Sequence, residues 1–462
     1  MKAYRARILR FASDIGVNKA ADKAPDQSAI FEEDGLLVVG PNLSGRQVVL
    51  RVGDYRHLIG DFRADHPHVP VQDLQDRIIA PGFVDMHIHY PQTDVIGSPA
   101  DGLLPWLENY TFPEEKRFVA GDYAEQAASF FIAELLRNGV TTALTFATSH
   151  VASVQALFKE AQKHQLRLIT GKCLQDRHSP DGVRDLPSSN GQFDAAEQSL
   201  IDTEALIQQW HSVDRLGYAI TPRFAPTCSD AQMRGAGELA AKYPDVWIQS
   251  HVAENLDEVR WVQALYPQSR SYLQVYDDFG LLRKKAVYAH CIHFDAADRT
   301  LMARSGAAAA VSPTSNLFLG SGFFDFKAAD EADNGAGFAY GLASDVGGGT
   351  SFSPFHTMLA AYYVGRAAVQ QGGTLKAGLS LSPQNLWWQH TAGAAKALGL
   401  EGVVGNLAIG CEADFVILNP QATPLMARRT ARAANLDELL FAMIVLGDDR
   451  VIEKTVISES NS

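Results

Sequence analysis

The strongest chemical signal in this sequence is Asp85-Met86-His87-Ile88-His89. In a strand, residues two apart project to the same face, so both imidazoles can be aimed at one point and share a metal ion. The same pair also reads as two hydrogen-bonded histidines at a strand end, and further ligands decide between the readings. Candidates close two later strand-like runs: His251 follows Trp247-Ile248-Gln249-Ser250, and Asp345 follows Gly341-Leu342-Ala343-Ser344. Three imidazoles and a carboxylate suit one borderline divalent ion, zinc first, although Fe(II) accepts the same set.

Two more groups are placed to move protons. Glu254, three residues beyond His251, can enter the same pocket from the loop after the strand and serve as a proton shuttle; alone it reads as an ordinary exposed glutamate. His290, ending Ala286 to Ala289, can accept a proton or hydrogen bond from a water on the metal, or else cap the next helix. Gly82, Gly347, Gly348 and Gly349 belong to no GxxxxGK[ST] or GxGxxG pattern after a strand, which disfavours a nucleotide-triphosphate site. The HxE and PCxxC pattern of the cytidine-deaminase architecture is absent.

The elements that must position these residues alternate along the middle of the chain. Strand-like runs occur at Phe83 to His89, Val140 to Ala147, Leu166 to Leu174, Gly217 to Phe224, Trp247 to His251, Ala286 to His290, Ala307 to Ser312 and Tyr340 to Ser344. Helix-patterned stretches such as Ala124 to Asn138 and Asp230 to Lys242 lie between them. Eight βα repeats predict a closed (β/α)8 barrel, an α/β fold whose catalytic groups sit where strands end; an open doubly wound sheet is the alternative. From Ala3 to Ala80, short apolar segments such as Leu36 to Val39 and Val48 to Val52 alternate with turn residues, an antiparallel β pattern. A similar run, Ala413 to Leu418, returns near the end, so the two chain ends are expected to share one sheet domain. The expected boundaries are 1–78 and 401–462 for the two parts of that domain and 79–400 for the barrel. The polar stretch Gln175 to Gln198 is expected to be a long loop, and the run Phe352 to Tyr363 reads as an interface or a barrel-facing helix.

Composition limits the partners. The 462 residues carry a formal charge of -13, which argues against a broad basic surface for nucleic acid or anionic lipid. No apolar run reaches the length of a membrane span, and the basic start lacks a signal-peptide core. The four cysteines, Cys173, Cys228, Cys291 and Cys411, lie far apart and read as buried reduced thiols. A cytoplasmic enzyme for a small-molecule substrate is expected.

Pro81-Gly82-Phe83-Val84-Asp85-Met86-His87-Ile88-His89 with His251, His290 and Asp345 resembles the amidohydrolase superfamily across most of the chain. The resemblance implies a metal-bearing (β/α)8 barrel and a small β-sandwich built from both chain ends. Within the superfamily the sequence is most similar to the guanine deaminases. The likeness rests on His89-Tyr90-Pro91-Gln92, Leu104-Pro105-Trp106-Leu107, Tyr110-Thr111-Phe112-Pro113-Glu114, Thr221-Pro222-Arg223-Phe224 and Leu446-Gly447-Asp448-Asp449-Arg450.

That resemblance implies hydrolysis of guanine to xanthine and ammonia in purine catabolism, by a homodimer. His87, His89, His251 and Asp345 look like the metal ligands, and Glu254, Asp345 and His290 like the catalytic groups. Gln92, Arg223 and Phe224 look like substrate contacts, with His89, Tyr90, Pro91, Trp106, His251 and Asp345 completing the substrate set. An arginine fork matches the O6 and N7 acceptors of guanine, whereas adenine presents a donor at the six position. Superfamily members acting on 8-oxoguanine, a pterin or a triazine share the metal ligands, so the Gln92, Arg223 and Phe224 set discriminates. A non-catalytic barrel scaffold is the rival from another class, and such scaffolds lose metal ligands. Where binuclear relatives carry a carboxylated lysine, this strand carries Arg223, which favours one metal. Lys172 is expected to contact the polar loop, and Ser312, Ser315 and Asn316 receive no role.

Overall fold

The eight strand-like runs form eight parallel strands: Phe83–His89, Val140–Phe146, Arg167–Gly171, Gly217–Pro222, Trp247–Val252, Ala286–His290, Ala308–Val311 and Ala339–Leu342. They are hydrogen-bonded in chain order. Cys173–Leu174 extends the third strand along the fourth. This computed structural model describes residues 1–12, 29–99, 101–177, 185, 195–367, 369–371, 374–376 and 379–458.

The eighth strand reaches the first through backbone bonds just beyond its end. Asp345 N donates to His87 O at 2.9 Å, and His89 N donates to Val346 O at 2.8 Å. The sheet therefore closes into a barrel and is not an open doubly wound sheet. Its seam lies at three of the expected site residues.

The barrel is filled, as close packing requires. Val84, Met86, Leu144, Ile169, Ala219, Val287, Ala308 and Ala310 form one buried cluster, joined from below by Ala394, Ala395 and Leu398 around the helix Ala392–Ala397. Outer helices cover the strands with apolar faces at helical spacing. Gly121–Arg137 buries Ala124, Ala128, Phe131, Ile132 and Leu135. Asp230–Lys242 starts where Ser229 accepts a hydrogen bond from Gln232 N, satisfying an otherwise free helix donor.

Both chain ends share a six-stranded sheet, ordered Ile452–Val456, Phe415–Leu418, Val71–Pro81, Lys2–Phe11, Ala29–Pro41 and Gln47–Asp54. One pairing departs from the antiparallel expectation, since Lys2–Phe11 runs parallel to Val71–Pro81. A parallel pair needs a long crossover, and part of it here is the helix Tyr55–Asp65, capped by Asp54. That helix hides in the sequence because Phe62 is its one fully buried residue.

The last sixty residues do more than complete this sheet. The helix Leu436–Leu446 packs on the barrel-side helices Pro354–Arg366 and Pro383–Gln389. The Phe352 to Tyr363 run lies largely on Pro354–Arg366, with Phe355, Met358 and Ala361 buried and Tyr363 exposed. Of the polar stretch 175–198, residues 195–198 open the helix Ala195–Trp210, while most of the expected loop lies outside the described residues. Among the described residues, no helix is long and apolar enough to cross a membrane.

A buried ionic lock joins the barrel base to the terminal sheet. Arg215, just before the fourth strand, donates to Asp414 at 3.0 Å and pairs with Glu412 at 2.8 Å; Arg167 reaches Glu412 at 2.6 Å. Burial alone would raise Glu412, but Arg215 and Arg167 outweigh it and hold the carboxyl below its ordinary value. A depressed folded-state carboxyl stabilises the fold above its unfolded pKa of about 4.3, and that contribution is lost as pH falls through the folded value. Arg215→Met strands the buried Asp414 carboxylate and leaves Glu412 to Arg167, and is expected to cost about 3–5 kcal/mol. Denaturant midpoints at neutral pH check this, and an unchanged midpoint refutes it.

Candidate active site

A bulge re-aims the first strand at the site. Asp85 pairs with Ala143 and Ile88 with Thr145, so three steps on one strand oppose two on the other. Val84 and Met86 consequently join the barrel interior, while Ile88 packs in the outer core. His87 and His89 turn toward the C-terminal mouth. Asp85 pins the bulge by accepting from His87 N at 3.2 Å and from Ser344 N at 3.1 Å.

Four donor atoms converge there. His89 Nε2 lies 3.2 Å from His87 Nε2 and 3.1 Å from His251 Nε2. Asp345 Oδ1 lies 3.1 Å from His87 Nε2 and 3.4 Å from His89 Nε2. A tetrahedron whose centre is about 2.0–2.1 Å from each corner has edges of about 3.3–3.4 Å, so this set has the dimensions of a metal site. His87, His89 and His251 form one potential metal-holding group, and His87, His290 and Asp345 a second, overlapping one. Burial lowers the pKa of His87, His89 and His251, favouring the neutral form that ligates. Burial opposes ionisation of Asp345, but its contacts with His87 and His290 outweigh that and hold it below the ordinary carboxylate range. His251 is oriented by Nδ1 against Arg223 O at 2.6 Å, and Phe146 packs against three of the rings.

Glu254 and His290, the pair expected to move protons, flank this cluster. Glu254 Oε2 is 3.3 Å from His290 Nε2, and His290 Nε2 is 3.8 Å from Asp345 Oδ2. Ser321 Oγ donates to Glu254 Oε1 at 2.9 Å. Burial pushes Glu254 up to about 7, close to where a group can both take and return a proton. Burial alone would lower His290, yet Glu254 and Asp345 outweigh it and raise its pKa. His290 does not cap the next helix, which Asp295 caps instead. Its Nδ1 meets Asn316 Oδ1 at 2.8 Å.

A cavity opens beside these groups. Its lining includes His89, His251, Glu254, His290 and Asp345 together with Gln92, Trp106, Arg223 and Phe224. Gly347 belongs to the loop after the eighth strand, where a Cβ would meet Gln92 O at 2.3 Å, so only glycine permits this approach. Its N–H donates to Gln92 Oε1 at 3.2 Å.

A match to the amidohydrolase family model spans residues 78–459. The chain belongs to the amidohydrolase family. Guanine deaminase of Escherichia coli (strain K12) is 41% identical over 430 residues, covering 92% of this chain and 90% of that protein. The solved structure of a guanine deaminase from Bradyrhizobium japonicum superposes with a TM-score of 0.89 at 32% identity, covering 99% of this chain and 98% of that one. A guanine deaminase from C. acetobutylicum, described with guanine bound in its active site, gives 0.83 at 30% identity with coverages of 99% and 98%.

In this amidohydrolase the structure brings together all but two of the expected site residues. Tyr90 turns into the outer core, where its hydroxyl donates to Ser153 O at 2.9 Å and its ring packs on Phe118. Pro91 is buried in the short helix Tyr90–Val95, and neither residue lines the cavity. The substrate-contact expectation for both is corrected: the chain turns at His89, so the motif's next two side chains anchor the turn. Lys172 pairs with Asp185 of the polar stretch, as expected.

Two buried carboxylates escaped the sequence reading. Glu258 lines the cavity, accepts from Glu254 N at 3.1 Å and receives the Tyr272 hydroxyl at 2.8 Å. Glu115 is fully buried and accepts from Arg223 Nη1 at 2.5 Å, Arg223 Nη2 at 3.0 Å and Gln92 Nε2 at 3.0 Å. The available signal was the doubled glutamate after Phe112-Pro113. Its first member, Glu114, turns instead to Arg117 at 2.9 Å.

Proposed function

We propose that this protein hydrolyses guanine to xanthine and ammonia, with His87, His89, His251 and Asp345 holding one zinc ion. The observation that carries the reading is the convergence of that donor set beside Glu254 and His290 at a cavity that Gln92, Arg223 and Phe224 also line. Three neutral imidazoles and a carboxylate are a donor set for zinc, with Fe(II) the alternative.

A divalent ion held there supplies a nucleophilic water at neutral pH. The chain's own groups direct the rest. Phe224 and Trp106 offer apolar surface to the purine ring, and Arg223 donates to its O6 and N7 edge. The Nη1 and Nη2 edge of the guanidinium already faces Glu115, so the base is met by the outward N–H groups. Glu254 Oε2 takes a proton from the attacking water and gives it to a ring nitrogen. The water oxygen bonds to C2, and His290 Nε2 stabilises that oxygen. Glu254 then carries the remaining water proton to the exocyclic nitrogen, the C2–N bond breaks and ammonia leaves. Adenine presents an amino donor where Arg223 needs an acceptor, so it is rejected.

The test is ammonia release from guanine, adenine, cytosine and 8-oxoguanine by zinc-loaded protein. Guanine-selective release is expected, and release from another base alone refutes the substrate assignment. Arg223→Lys keeps the charge opposite Glu115 but loses the planar fork, and is expected to raise KM for guanine about ten- to a hundredfold. Steady-state kinetics check this, and an unchanged KM removes Arg223 from base recognition.

The same reading places the protein in the cytoplasm as a homodimer. Four free, buried cysteines suit a reducing compartment. Exposed Tyr363, Leu425 and Val445 on mutually packed helices supply apolar surface for a second copy. Sedimentation equilibrium tests the dimer.

A further inference from the structure

We propose that Glu115 is a specificity-determining positioning residue, whose buried carboxylate cancels the charge of Arg223 so that the cavity accepts a neutral purine and rejects its deaminated anion. The inference rests on the guanine reading above. Glu115 does not line the cavity and touches no reacting atom. It acts through two residues that do line it, Arg223 and Gln92.

The charge balance around Arg223 can be followed element by element. From the helix Phe112–Glu115, Glu115 meets both Nη atoms and the Phe112 ring lies 5.0 Å from the guanidinium carbon. From the third strand's extension, the Cys173 thiol is pushed up to about 12 by burial and stays neutral. From the turn after the first strand comes the uncharged Gln92 amide, and from the fifth strand His251 faces the Arg223 carbonyl. Among the described residues, Glu115 is the one carboxylate within ion-pair distance of Arg223. Burial alone would lower Arg223, and Glu115 keeps it charged.

Glu115 also fixes which way Gln92 points. Nε2 donates to Glu115 and Oε1 accepts from Gly347, so the amide is held from both ends. One carboxylate thus ties together the segment covering the cavity, the turn after the first strand and the end of the fourth strand.

The chemical consequence concerns product release. Hydrolysis replaces the amino group at C2 by a carbonyl, and the dicarbonyl purine loses a ring proton near neutral pH, whereas guanine and hypoxanthine remain neutral. An uncompensated guanidinium would hold that anion; a guanidinium neutralised by Glu115 does not.

The test compares xanthine and hypoxanthine as inhibitors of guanine hydrolysis by the metal-loaded wild-type protein, Glu115→Gln, and Glu115→Gln combined with Arg223→Gln. In the wild type, xanthine is expected to inhibit less, relative to hypoxanthine, as the pH rises from about 6 to about 8, below the range where hypoxanthine itself ionises. In Glu115→Gln, KM for guanine is expected to rise about tenfold or more with a smaller change in kcat, and xanthine inhibition to strengthen over the same pH range by about tenfold. The double variant loses that strengthening. A wild-type xanthine-to-hypoxanthine ratio that falls or stays flat with pH overturns the proposal without any variant. So does a Glu115→Gln protein whose ratio follows the wild type. Absence of guanine turnover by the wild type overturns the guanine reading itself, and this inference with it.

Discussion

Glu254→Gln is expected to lower kcat for guanine by about 10²–10⁴-fold while leaving metal content and folding intact. Glutamine conserves the volume of a side chain packed in a fully buried setting, and its amide still meets Ser321 Oγ, which now donates to a glutamate oxygen at 2.9 Å. What it cannot do is accept a proton from water and hand it on. The native carboxyl is pushed up to about 7 by burial, so both of its forms are accessible near neutral pH. Glu258 supports the same loop by accepting from the backbone of Glu254 and Asn255, which the substitution does not touch. Metal analysis and single-turnover kinetics on the same preparation separate the outcomes. Wild-type turnover by a metal-replete Glu254→Gln protein would eliminate the proton-shuttle role.

Removing the metal should have an effect at least as large. Chelator-treated protein is expected to lose guanine turnover by more than about 10⁴-fold, because bulk water has a pKa of about 15.7 and a coordinated one about 7. Zinc returned at one ion per chain should restore it. His251→Ala is expected to act in the same direction through binding, since it leaves His87, His89 and Asp345 as the remaining ligands. His87, His89 and Asp345 are buried, whereas His251 is only partly buried and lines the cavity, so the vacated position opens onto the site. The readout is metal stoichiometry alongside activity. Full activity in metal-free protein would overturn the site assignment, and stoichiometric metal with no activity in the wild type would move weight to the scaffold reading.

Much of the site was legible because it is written in local pattern. A His-x-His at the end of an apolar run, and polar residues closing later runs, follow from strand periodicity and from the rule that barrel chemistry sits at strand ends. Periodicity did not reveal the slip between Asp85 and Ile88, which lets Met86 and His87 both face inward. A bulge depends on how the neighbouring strand pairs, and no single strand encodes that. The helix Tyr55–Asp65 was missed for a related reason: its apolar surface is small and is completed by the sheet it covers.

The sequence by itself pointed to the barrel and the shared terminal sheet through strand and helix periodicity, and to the candidate ligands and proton shuttle through residue chemistry at strand ends. Tertiary structure alone decided which of Glu114 and Glu115 turns inward, that Tyr90 and Pro91 serve the core, and which edge of Arg223 is left for a base. Those outcomes depend on partners far apart in the chain. Glu115 and Arg223 are 108 residues apart, and Arg215 and Asp414 are 199 apart. A buried charge takes its orientation from the partner that compensates it, and that partner is known only after the strands have closed.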